Sequence, residues 1–245
     1  MPVRNCRRKK IRFALFIAPG KMHVYGDRMK KLYRRTDPDG PTRAKQLTEY
    51  LRTHSSIPVE YPLDEIKSAR KQISVPLYYK RDTHWNFCGA YIGARAMMRL
   101  IDPAAAKRMP AVSGMDPYYE KTILGDLARM TEAPESCCEP DWKFRNSSSF
   151  YQYYPREAGC YSMNGLRSDG PKVFFIRDSF LTHAMPHLAG WLSHATFYWD
   201  FSLNMKMIEK DRPDVVVLEV VDRYLGTLLN FNELELQMRR GGKLL

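Results

Sequence analysis

Ser179 stands where a nucleophile is useful. It follows the apolar run Lys172-Val-Phe-Phe-Ile176 and the short link Arg177-Asp178, and it precedes Phe180. An apolar run of that length, bounded by Gly170-Pro171, reads as a buried strand. The stretch after it, Leu181 to Trp191, suits a helix. Open α/β sheets place their sites at the carboxyl ends of strands. A helix N-terminus there offers backbone N–H groups to a developing oxyanion. Serine is also a favoured helix cap, so this stretch alone leaves two readings of Ser179, cap and nucleophile.

A serine hydroxyl is too weak an acid to attack unaided. It needs a base to take its proton, and an imidazole base needs an acceptor that fixes its tautomer. Tyr78-Tyr-Lys-Arg-Asp-Thr-His-Trp-Asn86 supplies both. Asp82 and His84 are two residues apart, so in an extended turn they point the same way. Asp82, His84 and Ser179 fill the three roles if two strand ends are neighbours.

The elements that must position them follow from pattern. Residues 11–18, Ile57–Tyr61, Val75–Lys80, Lys172–Ile176, Ala195–Trp199 and Val215–Val221 read as strands. Thr42–Arg52, Leu63–Gln72, Asn86–Leu100, Leu124–Met130, Leu181–Trp191 and Ser202–Lys210 read as helices. Asp64 and Glu65 suit a first helical turn, and Pro103 closes the helix before it. Strands alternating with helices predict a mostly parallel sheet covered on both faces. Residues 103–123 read as loop, and residues 131–170 as irregular, with prolines, glycines, Ser147 to Ser149 and the tyrosines 151, 153 and 154. A loop that long is usually functional or locally disordered. Its tyrosines suit either stacking on sugar rings or covering a sheet edge.

Asp82-Thr-His-Trp-Asn86 with Gly89-Ala-Tyr91, followed later by Asp178-Ser-Phe180, resembles the AlgX/AlgJ family of SGNH-hydrolase-like alginate O-acetyltransferases. The order Asp, His, Ser is that family's order. Phe16-Ile-Ala-Pro-Gly-Lys21 looks like its first core strand and loop. Gly125-Asp-Leu-Ala-Arg-Met130 looks like its helix after the Asp-His helix, and Asp214 to Tyr224 like its last strand. The resemblance spans roughly residues 11 to 230. It implies a three-layer α/β/α, SGNH-hydrolase-like (flavodoxin-like) fold. It implies an O-acyltransferase that moves acetyl onto hydroxyls of an alginate-like exopolysaccharide through an acyl-enzyme. Ser179 would attack, His84 would act as base, Asp82 would orient His84, and the N–H of Ser179 or Phe180 would serve the oxyanion. Trp85, Arg177, Arg223 and Tyr224 are candidates for shaping the substrate pocket. Partners would be an acidic polysaccharide or other carbohydrate acceptor, and an acetyl donor protein or small acetyl ester. No cofactor is expected. A carbohydrate O-acetylesterase with the same triad and a non-catalytic polysaccharide-binding module are the alternatives.

The chain departs from the broader group at Arg177, where the Gly-Asp-Ser form has glycine. Glycine allows close backbone approach and positive φ; arginine instead has the reach to meet a substrate carboxylate. A metal reading would gather Asp82, His84, His183 and His187, but Pro186 is awkward between the last two and no zinc-site spacing is present. No metal is expected.

The 245 residues suit one α/β domain: a basic arm (1–10), a catalytic domain (11–230) and a tail (231–245). Of the net charge of +12, residues 1–12 carry +6 and residues 238–245 carry +3. A fold-wide basic surface does not follow, and nucleic acid is not an expected partner. No apolar run is long enough to span a membrane. Phe13 to Ala18 is short for a signal-peptide core, and no small-residue cleavage site follows. The resemblance implies the periplasm or cell envelope; without a visible signal peptide, the alternatives are a fragment of a longer parent or a cytoplasmic chain. The five cysteines show no Cys-x-x-Cys pair. A disulfide from Cys137 or Cys138 to Cys160 and fully reduced thiols are both compatible with the spacing.

Overall fold

A computed structural model describes residues 11–31, 37, 40–132, 134–145, 152–156, 159–201 and 204–229. The basic arm, the C-terminal tail, Ser147 to Ser149 and Tyr151 lie outside the described residues. In chain order the strands are β1 (Arg12–Ala18), β2 (Val59–Glu60), β3 (Pro117–Ile123), β4 (Glu139–Phe144), β5 (Tyr153–Pro155), β6 (Cys160–Asn164), β7 (Lys172–Ile176), β8 (His194–Tyr198) and β9 (Val215–Val221). The helices are α1 (Lys21–Val24), α2 (Arg43–His54), α3 (Leu63–Gln72), α4 (Phe87–Ile101), α5 (Pro103–Arg108), α6 (Leu181–Leu188) and α7 (Met205–Asp211).

Seven strands form the central sheet in the order β2-β1-β9-β7-β8-β6-β5. β2, β1, β9, β7 and β8 run parallel, and β6 and β5 are added antiparallel at one edge. The fold is mixed α/β with a mostly parallel sheet, as the alternating pattern predicts. β9 is buried at every position, because a parallel strand between two helical layers has no wet face. Successive residues serve opposite layers. Val173, Phe175, Val215 and Val217 pack toward α3, α4 and α6, and Phe174, Ile176, Val216 and Leu218 pack toward α2 and α7.

Several expectations change. Val75–Lys80 is not a strand: Tyr78 makes only an isolated bridge to Trp85. Leu77 N–H is taken by the Tyr25 hydroxyl at 3.0 Å, so the chain forms a pinned loop instead of a ladder. Leu124–Met130 is not an α-helix; only Ala128–Met130 make a 3-10 turn. The predicted loop 103–123 contains α5 and β3, and β3 pairs with β4 in a separate antiparallel pair. The irregular 131–170 stretch contains β4, β5 and β6. Ile57–Tyr61 shortens to Val59–Glu60, and α6 ends at Leu188. Pro186 is accommodated inside α6. Cys137 and Cys138 are free thiols, so neither forms the disulfide with Cys160 that the spacing allows. Among the described residues, no helix is long and apolar enough to cross a membrane.

Glu219 is an acid in the middle of β9, fully buried. Its Oε2 accepts the Asp178 N–H at 3.0 Å, and its Oε1 has no partner among the described residues. Burial, reinforced by the nearby Asp178 carboxylate, raises its pKa well above the usual carboxyl range. A raised folded-state pKa adds stability at low pH, and that contribution is lost as pH rises toward the folded-state value. Glu219→Gln should therefore flatten the fall of stability with pH and be the more stable form at neutral pH. Urea midpoints between about pH 5 and pH 8 measure this. An unchanged slope in the variant would show that Glu219 is already ionised in the folded chain.

Candidate active site

The site forms at the carboxyl ends of β7 and β9. β7 stops at Ile176, and Arg177 to Phe180 turn the chain into α6. Asp178 holds that turn. Its Oδ1 accepts the Phe180 N–H and its Oδ2 accepts the Val221 N–H, both at 2.7 Å. One buried carboxylate thus ties the end of β7 to the end of β9. Phe180, not Ser179, is the N-cap of α6, and no side chain caps the helix. The capping reading of Ser179 is thereby replaced: its Oγ instead lies 2.7 Å from His84 Nε2.

His84 reaches Ser179 because the loop carrying it docks on the same turn. Trp85 is fully buried, and its indole N–H donates to Phe180 O at 2.8 Å. Its ring lies against Gly93 of α4, where an added Cβ would sit 2.5 Å from the indole. His84 Nδ1 lies 2.7 Å from Asp82 Oδ1, which also accepts the His84 backbone N–H at 2.8 Å. Asp82, Thr83, His84 and Ser179 are all half-buried. Burial works to raise the Asp82 pKa, but bonds from the His84 ring and amide and the Asp126 amide outweigh it. The carboxyl is held well below its usual range.

Asp126 is a site-supporting residue that the sequence reading passed over. Its N–H donates to Asp82 Oδ2 at 2.8 Å. Its carboxylate accepts the Thr83 N–H at 2.8 Å and the Thr83 hydroxyl at 2.5 Å. Gly125 permits this approach, since a Cβ there would lie 2.3 Å from Arg81 O. The signal is the Gly125-Asp126 pair within the stretch Leu124–Met130 that the pattern predicts as helix. Two further supports come from far along the chain. Lys21 Nζ donates to Lys80 O at 2.8 Å and to Asp82 O at 2.9 Å, and burial lowers its pKa. The Glu139 carboxylate accepts the amides of Lys80 and Arg81.

The pocket candidates divide. Arg177 is buried, so it does not face a substrate carboxylate. Its Nη1 donates to Asp178 O at 3.0 Å and Thr182 Oγ1 at 2.8 Å, and its guanidinium lies 4.2 Å from the Trp199 ring centroid. Burial pushes its pKa down. Trp85 is likewise a support beneath the turn. Arg223 and Tyr224 are exposed just after β9, with the Arg223 guanidinium 5.1 Å from the Phe180 ring centroid. The Phe180 N–H is committed to Asp178, while the Ser179 N–H has no partner among the described residues.

His183 and His187 do not form a ligand set with Asp82 and His84. His187 is buried with Nε2 2.9 Å from Phe87 O, and burial lowers its pKa to about 3. The ring centroid of His183 lies 6.3 Å from that of His84, and burial lowers the His183 pKa to about 4. Asp82, His84 and Asp126 do offer ligand-type atoms within 4.8 Å of one another. Those side chains are already engaged with each other and with Thr83.

The family model for the SGNH hydrolase-like domain of the acetyltransferase AlgX matches residues 3–195. The chain belongs to the AlgX family. No curated protein matches it in sequence. Solved structures that resemble this AlgX-family domain include a DHHW family protein from Eubacterium siraeum, at 12% identity and TM-score 0.62. That alignment covers 90% of this chain and 82% of the other. Bacillus cereus PatB1 aligns at 13% identity and TM-score 0.60, over 90% and 85% of the two chains. The O-acetyltransferase domain of Pseudomonas putida AlgJ aligns at 16% identity and TM-score 0.55, over 91% and 80%. At these identities the likeness shows the SGNH-like fold. The family match ends at Ala195, so β9, Arg223 and Tyr224 lie beyond it.

Asp126→Ala removes both acceptors of Thr83. It should lower stability by about 1–2 kcal/mol, the scale of losing charge-assisted hydrogen bonds at a partly exposed site. Chemical denaturation measures the loss. A variant as stable as wild type would mean that Asp126 does not hold the loop.

Proposed function

We propose that this AlgX-family domain transfers an acetyl group to a carbohydrate hydroxyl of an exopolysaccharide, alginate-like and acidic, through an acyl-enzyme on Ser179. The observation that carries this reading is the continuous series of hydrogen bonds from Asp82 Oδ1 through His84 to Ser179 Oγ, 2.7 Å at each step. Ser179 Oγ attacks the acetyl carbonyl while His84 Nε2 takes its proton. His84 returns the proton to the leaving group of the donor, an acetylated protein or a small acetyl ester. An acceptor hydroxyl then gives its proton to His84 and takes the acetyl, and His84 passes that proton to the departing Ser179 Oγ, which restores the free serine. Asp82 keeps the Nδ1 proton in place and stabilises the imidazolium. The Ser179 N–H is the backbone donor left for the oxyanion, and exposed Arg223 adds positive charge beside the turn. Arg223 and Tyr224 are the substrate-facing residues. The setting is the periplasm or cell envelope, on the strength of the family resemblance. A carbohydrate esterase would use the same groups with water as the acceptor.

The test is turnover of a generic acetyl ester, with and without oligosaccharide, read by mass spectrometry of the sugar. Acetylated oligosaccharide supports transfer, and free acetate alone supports the esterase. Ser179→Ala and His84→Ala should each lower turnover by about three orders of magnitude or more. Combining them should cost little further, because either loss disables the same step. Asp82→Asn should hurt less than either. Losses that multiply in the double variant would rule out a shared triad. A wild type that binds polysaccharide but turns over no ester would favour a binding module.

A further inference from the structure

We propose that Trp199 is a specificity-determining residue: its open face is the platform on which a pyranose ring of the acceptor stacks. The proposal rests on the carbohydrate reading above. Trp199 is the first residue after β8, and Ile176 of β7 pairs with Tyr198 of β8. The parallel register therefore sets Trp199 beside Arg177, two residues before Ser179. The Arg177 N–H donates to Tyr198 O at 2.9 Å, which fixes that level.

One face of the indole is occupied from within. The Arg177 guanidinium lies 4.2 Å from the Trp199 ring centroid, a cation–π contact made by a buried cation. The same guanidinium donates to Asp178 O and to Thr182 Oγ1, on either side of Ser179. A single rigid side chain thus links the Trp199 ring to the nucleophile turn. The Trp199 backbone is held as well, its N–H donating to Gly159 O at 2.9 Å. A tryptophan that only covered Arg177 could lie flat and buried. Trp199 is instead 49% exposed, although Trp85 shows that this fold can bury an indole fully.

The surface continues outward in a useful direction. Tyr161 of β6 pairs with Phe197 of β8, so it shares a sheet face with Phe197 and, two residues on, Trp199. Tyr161 is 40% exposed. Trp199 and Tyr161, the latter in edge contact with Tyr153, are both partly exposed aromatics on the β6 side of the Ser179 turn. Pyranose rings present C–H faces that suit the electron-rich face of an aromatic ring. Binding a sugar unit beside the Ser179 turn spends remote contacts on orienting the acceptor hydroxyl toward the acyl-enzyme.

The experiment uses the whole chain with cellohexaose as a neutral probe and a hexauronate as an acidic one. Calorimetric affinities and acceptor kinetics are compared for wild type, Trp199→Leu and Trp199→Phe. Leucine keeps apolar cover on Arg177 but removes the ring. Trp199→Leu should weaken binding and raise the acceptor KM by about tenfold, the scale of returning one aromatic face to water. Its kcat should fall by less than that. Trp199→Phe should recover most of both losses. In wild type, indole emission should shift to the blue when the bound hexasaccharide covers Trp199. Should Trp199→Leu fold poorly, Trp199→Phe and the wild-type emission shift still decide the question. If wild type binds hexasaccharide but its emission is unmoved and the variants keep its affinity and KM, the Trp199 assignment falls alone. If wild type neither binds nor acetylates either probe, the carbohydrate reading falls and this inference with it.

Discussion

The hydrogen bond from the Trp85 indole to the Phe180 carbonyl joins two parts of the chain that local structure does not bring together. It is buried, so its loss would leave an unpaired donor and an unpaired acceptor in an apolar setting. On one side of it lies the loop with Asp82 and His84, on the other the turn with Ser179. Gly93 gives the indole room, and Phe180 packs edge-on against it with ring centroids 5.2 Å apart. The 2.7 Å contact between His84 and Ser179 depends on that docking.

The two sides are held by different means. The Ser179 turn inherits its position from the sheet: β9 is buried throughout, its partner β7 is buried from Val173 on, and Asp178 fastens both ends through backbone amides. The Asp82–His84 loop has no ladder to rely on. Beyond a few backbone bonds, several of its amides and carbonyls are satisfied by side chains from elsewhere, namely Tyr25, Asp126, Glu139 and Lys21. Buried backbone groups must find partners, and here those partners also fix the direction of a carboxylate and an imidazole. Chemistry-bearing side chains on a loop gain the precision of a strand when enough such bonds converge.

Arg177 shows how a departure from a family pattern acquires a meaning. Where glycine would let a backbone approach, arginine fills the space under Trp199 and ties Asp178 O to Thr182. The buried cation lies close to Glu219, whose carboxyl stays protonated more readily because it is buried, with the Asp178 carboxylate adding to the effect. The Arg177 cation and the Asp178 and Glu219 acids form one buried cluster at the turn, and the half-exposed Trp199 ring lies over its cation.

Local pattern was enough to find the core strands of the sheet and to nominate the residue types of the candidate site. Lys172–Ile176, Val215–Val221 and Leu63–Gln72 have the predicted bounds, because a continuous apolar run or a helical stripe is decided by burial within a short window. Asp82, His84 and Ser179 could be chosen because their chemistry requires those side chains in combination. How the rest is used depends on contacts between distant segments. Tyr78 to Trp85 became a pinned loop because the side chains of Lys21, Asp126 and Glu139 that pin it lie tens of residues away, beyond any local pattern. Residues 117–123 and 139–144 became strands because they pair with each other, a choice that neither run makes alone. Arg177 turned inward, Phe180 gave its amide to Asp178, and Asp126 joined the site for the same reason: each is settled by a contact between distant segments, which exists only once the sheet has brought them together.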